Sequence, residues 1–150
     1  MCFPTILFSN SRELEKGYSR LGYMKEIFRK FLLYWMPATL WAWVIFYLSS
    51  IPSLESGLPG TWDAVLRKGA HVFVYAVLTW LIFRALGSGH AVQYKKAIVW
   101  AMFFALFYAC SDEFHQHFVP GRHGRARDVA VDAIGIAVVG IFIARKPRVR

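Results

Sequence analysis

Residues Tyr108–Gly140 read YACSDEFHQHFVPGRHGRARDVAVDAIGIAVVG, and within them two apolar runs meet across a short polar elbow. Asp112, Glu113, His115, Gln116 and His117 crowd into six positions. The Pro120-Gly121 turn and then Arg122, Arg125 and Arg127 follow, and the next apolar run opens at Asp128. Ionisable groups are expensive beside hydrocarbon, so such an elbow reads first as a functional site facing a bundle interior or a watery cavity.

The rest of the chain supports that setting. Of its 150 residues 57% are hydrophobic, 17% aromatic and 18% charged, with a mean hydropathy of +0.38. A soluble domain is about half apolar and about a quarter charged. Here the apolar excess gathers into runs close to the roughly 20 residues that an α-helix needs to cross hydrocarbon. The expectation is one all-α integral membrane domain, a four-helix bundle. The net charge of +9 does not argue for nucleic acid, because the cations flank apolar runs and form no groove or basic helix. Cys2 stands at the terminus and Cys110 inside an apolar run, which supports neither a disulfide nor a thiolate metal site. The stretch 1–8 is too short, and lacks the basic leader, to be a signal peptide.

Taken in order, residues 1–30 are polar and basic and read as a cytoplasmic segment, with Met24 a candidate start. Residues 31–145 read as the four-helix transmembrane domain, and 146–150 as a basic cytoplasmic tail. The first span runs from about Phe31 to Ser50 without a charge, and Pro37 should bend it. Residues 51–66 read as a loop. The second span covers about Arg67 to Leu86, the third about Ala97 to Phe114, and the fourth about Asp128 to Ala144. With the N-terminus inside, thirteen Lys and Arg fall on the cytoplasmic side and five on the other (Arg67, Lys68, Arg122, Arg125, Arg127). The positive-inside rule then puts both termini in the cytoplasm.

That topology brings the unusual polar residues together. Ser49, Ser50, Lys68, His71, Asp112, Glu113, His115, Gln116, Arg122, Asp128 and Asp132 all lie at the outer ends of their spans. Lys68, His71 and Tyr75 share one helix face. Asp112, His115 and Gln116 share another, with Glu113 and His117 rotated away by about 100° per residue. Asp112 and His115 are the candidate catalytic acid–base pair, since imidazole titrates near neutrality and a carboxylate can orient it. The competing reading is an interhelical clamp to Lys68 or Arg122. Lys68, His71, Tyr75, Glu113, Gln116, Arg122 and Asp132 form the candidate ligand-binding set, the cations suited to a phosphate. Asp128 suits the positive end of its helix, and Gly135 a close helix contact. Asp112, Glu113, His115 and Asp132 offer metal-ligand atoms. Neither HExxH nor HxxEH occurs, however, and the sequence assigns no metal.

At these residues the chain resembles the VanZ-like family, four-span bacterial membrane proteins named from a glycopeptide-resistance cluster. The matching pieces are Phe46-Tyr47-Leu48-Ser49-Ser50, then Lys68-x-x-His71-x-x-x-Tyr75. The third is Tyr108-x-x-x-Asp112-Glu113-Phe114-His115-Gln116, running on through Val119-Pro120-Gly121-Arg122 to Asp128 and Gly135. The resemblance covers about residues 24–145. Arg67 stands where the family usually has Asp, and Asp132 where it often has Asn. The first departure removes an Asp–Lys pairing, and the second adds a carboxylate. The resemblance implies a bacterial inner-membrane location, a link to the cell envelope and, in some members, teicoplanin resistance; it names no reaction.

Three functions remain open from the sequence. The first is an envelope protein that binds, or also processes, an anionic lipid-linked headgroup such as a polyprenyl phosphate at the outer face. The second is a non-catalytic scaffold that docks envelope-protein partners. The third is a small proton-coupled transporter, against which stands an inner half nearly free of ionisable residues apart from Arg84. The sequence assigns neither turnover nor a cofactor.

Overall fold

The structure, a computed structural model, describes residues 20, 22–52, 60–90, 92–122 and 124–145. The expectations for Cys2, most of the N-terminal segment, much of the 51–66 loop and the basic tail from residue 146 lie outside the described residues. Four helices account for most of what is described: α1 (Gly22–Ser50), α2 (Gly60–Gly89), α3 (Tyr94–Gln116) and α4 (Ala126–Arg145). No strand occurs among the described residues. The first three helices are long and apolar enough to cross a membrane by length and composition. The fourth has 20 residues but carries Arg127, Asp128, Asp132 and Arg145.

The helices overrun the apolar segments that announce them, each for a local reason. α1 extends back through Glu26, whose carboxylate takes both the Nε and an Nη of Arg29 at 3.0 and 2.9 Å, one turn away. Such pairs support a helix outside the hydrocarbon. α2 begins seven residues before Arg67. Asp63 lies in its first turn, where the helix dipole favours an anion, and pairs with Arg67 four residues on. The span therefore starts inside what reads as a loop.

Pro37 acts through a π-helical turn at Phe31–Trp35, immediately before it. Proline has no N–H to offer the carbonyl four residues earlier, which is that of Leu33. Arg84 on α2 donates Nη2 to this carbonyl at 3.0 Å, and its guanidinium lies over the rings of Tyr34 and Trp80. A second π turn, Ala85–Gly89, ends α2 against the first, with Gly89 close to the Tyr34 ring. Trp35 Nε1 completes the junction by donating to His90 Nε2 at 2.6 Å.

The interior is built from small and branched side chains. Ala97, Ala101, Ala105 and Ala109 form a buried stripe along α3 at helical spacing, packed with Ile45, Tyr75, Leu78, Ile82 and Ile136 from the other helices. The bulky side chains point out instead: Trp43, Phe46, Phe73, Trp80, Trp100, Phe103, Phe107 and Phe142 are all exposed. In water so broad an apolar surface would associate. In lipid it is the expected exterior, because helices there gain by close approach of small residues. α2, α3 and α4 pack closely on one another, while α1 lies against them more loosely, with cavities along its length. Trp41 Nε1 to the Val74 carbonyl (2.9 Å) and the Tyr108 hydroxyl to the Ala42 carbonyl (2.6 Å) tie α1 to α2 and α3.

Gly135 sets the α2–α4 approach, since a Cβ there would collide with the Val72 carbonyl of α2. The close contact expected for this glycine is thus made on backbone, which cannot swing away. Gly135→Val is expected to lower the melting temperature of the detergent-solubilised protein, with an overpacking cost of about 1–3 kcal/mol. Ala130→Val, on the exposed side of the same helix, should leave it unchanged. Equal melting of the two variants would contradict the contact.

Candidate functional site

Helices that alternate in direction bring the end of α1, the start of α2, the end of α3 and the start of α4 to one end of the molecule. Of the seven buried polar or charged residues among those described, six lie there: Ser49, Asp63, Asp112, Glu113, Gln116 and Asp132; Thr79, deeper in α2, is the seventh. A carboxylate removed from water must be hydrogen-bonded or paired, so each one's partners define the site.

Asp112 is held by its own helix and by α1. Ser49 Oγ donates to Asp112 Oδ2 at 2.7 Å, and Gln116 Nε2 donates to the same oxygen at 3.0 Å and to Ser49 Oγ at 3.3 Å. His115 is held separately. Ser50 donates its one hydroxyl proton to the Phe46 carbonyl at 2.7 Å, so its 3.1 Å contact with His115 Nε2 takes a proton from the ring. The His115 ring also lies 4.5 Å from that of Phe46. Asp112 and His115 thus share a helix face, yet each engages a different one of the two consecutive serines on α1. No hydrogen bond joins them, and neither bonds Lys68 or Arg122.

Glu113, one residue on, is also buried, so both acidic neighbours turn inward; His117 is exposed. The elbow backbone makes this possible. Arg125 donates its N–H, not its charge, to Glu113 Oε2 at 2.9 Å. Gly124 lies so close to the Glu113 carbonyl that a Cβ would overlap it. From the other side, His71 of α2 and Asp132 of α4 meet, with Nδ1 and Oδ1 3.0 Å apart. Asp132 has no exposed surface. Ligand atoms of His71, Glu113 and Asp132 all lie within 4.8 Å of one another.

The partners leave a remainder. Among the described residues, four buried side-chain atoms have no hydrogen bond: Tyr75 Oη, Asp112 Oδ1, Glu113 Oε1 and Asp132 Oδ2. All four belong to this end of the molecule. Among the described residues, no ion pair joins a Lys or Arg to Asp112, Glu113 or Asp132.

The cations are spent elsewhere. Arg122 reaches across to the end of α1 and donates Nε to the Ile51 carbonyl at 3.0 Å and Nη2 to that of Leu48 at 3.1 Å. The Leu48 carbonyl also takes the Ile51 N–H at 3.4 Å, so Arg122 adds to a weak closing bond there and caps the Ile51 carbonyl where the helix stops. Burial draws the Arg122 guanidinium below its ordinary value, while Asp112 and Glu113 pull the other way; an arginine stays charged regardless. Lys68 is exposed and does not line the neighbouring cavity, whereas Arg67 does. This cavity, about 130 Å³, lies between α1 and α2 and is bounded by Ile45, Leu48, Val74, Arg67, His71 and Arg122. Ser111 is exposed and donates to the Tyr108 carbonyl of its own helix.

Sequence reasoning placed the polar convergence but left Ser49, Asp63 and Arg67 outside its site set. The signals were present: Ser49 ends a matching motif, and Arg67 departs from the residue type expected there. Arg122→Gln removes two charge-assisted bonds, worth about 1.5–3 kcal/mol. It should speed amide hydrogen exchange in the last turn of α1 and lower the melting temperature. Lys68→Gln should do neither, and unchanged protection at Leu48–Ile51 in Arg122→Gln would contradict the capping role.

The model of the VanZ/LLP1 family matches residues 5–147, and the chain belongs to that family. The match begins upstream of the motif-bearing part of the sequence. No curated protein and no solved structure matches the chain.

Proposed function

We propose that this VanZ/LLP1 family protein binds the anionic headgroup of a membrane lipid, of the polyprenyl-phosphate kind, at the outer face of the bacterial inner membrane. The carrying observation is the α1–α2 cavity. Arg67 and Arg122 stand at it beside His71, above a floor of Ile45, Leu48 and Val74. An amphiphile needs that combination: guanidinium groups that engage a phosphate, adjoining an apolar wall for the first carbons of its chain.

The four helices form the transmembrane bundle in this reading, with both termini cytoplasmic. The cation excess on the side of residues 1–30, the α2–α3 connection and the tail supports that orientation. It puts the carboxylate end at the outer surface, where envelope precursors are handled, and makes teicoplanin tolerance the phenotype to examine. Binding is the claim. Asp112 and His115, each bonded to its own serine, do not line this cavity, and no turnover is assigned to them.

A second reading has an observation of its own. The Ser49–Asp112–Gln116 and Ser50–His115 bonds, with the Arg122 cap, all fasten α1 to the rest of the molecule. A scaffold would need that lock and no ligand. The transporter reading gains nothing comparable, since Arg84 at the opposite end is committed to a carbonyl and two rings.

Native mass spectrometry of the detergent-extracted protein separates the first two. The wild type should carry a phosphate-bearing lipid, and Arg67→Gln should weaken its retention about tenfold, equivalent to loss of one charged contact. Lys68→Gln, outside the cavity, should retain it. An empty wild type, or equal lipid in both variants, would favour the scaffold.

A further inference from the structure

We infer that His71, Glu113 and Asp132 form a binding site for one divalent transition-metal ion of the Zn²⁺ or Mn²⁺ class. The three residues come from the first half of α2, the end of α3 and the first turns of α4. Their ligand atoms all lie within 4.8 Å of one another. Bonds of about 2.1 Å place neighbouring ligands about 3.0–3.4 Å apart and opposite ones about 4.2 Å apart. The His71–Asp132 separation of 3.0 Å already suits neighbouring ligands of one ion. A pair 4.8 Å apart needs to close by about 0.6 Å to stand opposite across the ion, or by about 1.4 Å to stand as neighbours.

The independent observation is the set of unpartnered oxygens. Glu113 and Asp132 are 6% and 0% exposed, and each keeps one carboxylate oxygen, Oε1 and Oδ2, with no donor at all. A buried carboxylate without a donor on one oxygen is costly, and here two from different helices converge on an imidazole. Metal binding displaces the protons of its ligands, and two carboxylates with a neutral imidazole then sum to −2, which a divalent ion neutralises. No Lys or Arg ion pair among the described residues does so. Without an ion, the His71–Asp132 contact is the pairing these groups have.

The surroundings suit ligands held in place. The Arg125 N–H fixes Glu113 through Oε2 and leaves Oε1 as the free oxygen. Such outer hydrogen bonds orient metal-ligating groups. One imidazole with two carboxylates selects transition ions over Mg²⁺ and Ca²⁺, which prefer oxygen alone. Three protein ligands leave coordination positions open, and His71 also lines the α1–α2 cavity, so those positions have an approach route. The sequence offers no HExxH because the three ligands come from three helices, and spacing along one helix cannot reveal them. The inference stands apart from the lipid reading and holds whether or not the cavity takes a headgroup.

The test uses the full chain in detergent, stripped with EDTA, then given ZnCl₂ or MnCl₂ and passed through a desalting column. Elemental analysis should find close to one ion per chain. The melting temperature of the stripped wild type should rise by about 5 °C in excess ion. Glu113→Gln and Asp132→Asn, each near in shape to the original, should lower affinity at least about tenfold. Because the melting response needs no variant, it remains informative if either substitution fails to fold. No retained ion together with no melting response in the wild type would overturn the site. Undiminished binding in folded Glu113→Gln and Asp132→Asn would do the same. An equal response to MgCl₂ would overturn the choice of ion class.

Discussion

Burying Asp112, Glu113 and Asp132 at one end of an apolar helix assembly is the constraint on which the rest of this structure depends. None of these residues is more than 6% exposed, and a buried charge stripped of its partner costs about 3–5 kcal/mol. The fold answers with neighbours drawn from three helices and the elbow. Ser49 comes from α1, His71 from α2, Gln116 from α3, and the Arg125 amide from the elbow before α4. Four helices that would otherwise slide on apolar faces are thereby fixed in register. The answer is incomplete, however, since one oxygen of each carboxylate remains without a donor. That residual demand is what the inferred metal site would meet at Glu113 and Asp132.

α1 has a distinct position in the arrangement. At the carboxylate end it is held by Ser49, Ser50 and the Arg122 cap; at the other end by Arg84 and the Trp35–His90 bond. Between them its packing is loose enough to leave an apolar cavity of about 290 Å³ against α2 and α3. Trp41 and Tyr108 add two polar bonds near the middle of α1, and in the proposed reading a lipid approaches the site laterally along this helix. The cavity beside Arg67 and Arg122 opens along this same helix.

Much of this was legible in the sequence. Uninterrupted apolar runs gave the helices, and the clustering of Asp112, Glu113, His115 and Gln116 between two of them located the polar end. The Lys68-x-x-His71 and Asp112-Glu113-Phe114-His115-Gln116 pieces led to the family that the matched model shows. What stayed hidden depended on rotation and on long-range partners. Helical spacing puts Asp112 and His115 on one face but cannot say that consecutive serines on α1 separate them. Charge alone does not distinguish Lys68 from Arg67; the Asp63–Arg67 pair at an unrecognised helix start does. The elbow glycine at 124 lets backbone approach Glu113, so a residue rotated away from the Asp112 face is buried against the elbow. Nor does a proline announce a π turn, or the arginine from another helix that serves the carbonyl beside it.

The most direct test of the central claim is where a lipid headgroup touches the chain. A polyprenyl phosphate analogue with a photoreactive group next to its phosphate would be incorporated into nanodiscs with the protein, irradiated, and the adducts mapped by peptide mass spectrometry. The account predicts adducts on the last turns of α1, around Ile45–Ile51, and on α2 around Arg67–Val74, competed by the unlabelled phosphate. Adducts confined to the outward aromatic face of α3, around Trp100–Phe104, or spread evenly over all four helices, would contradict it.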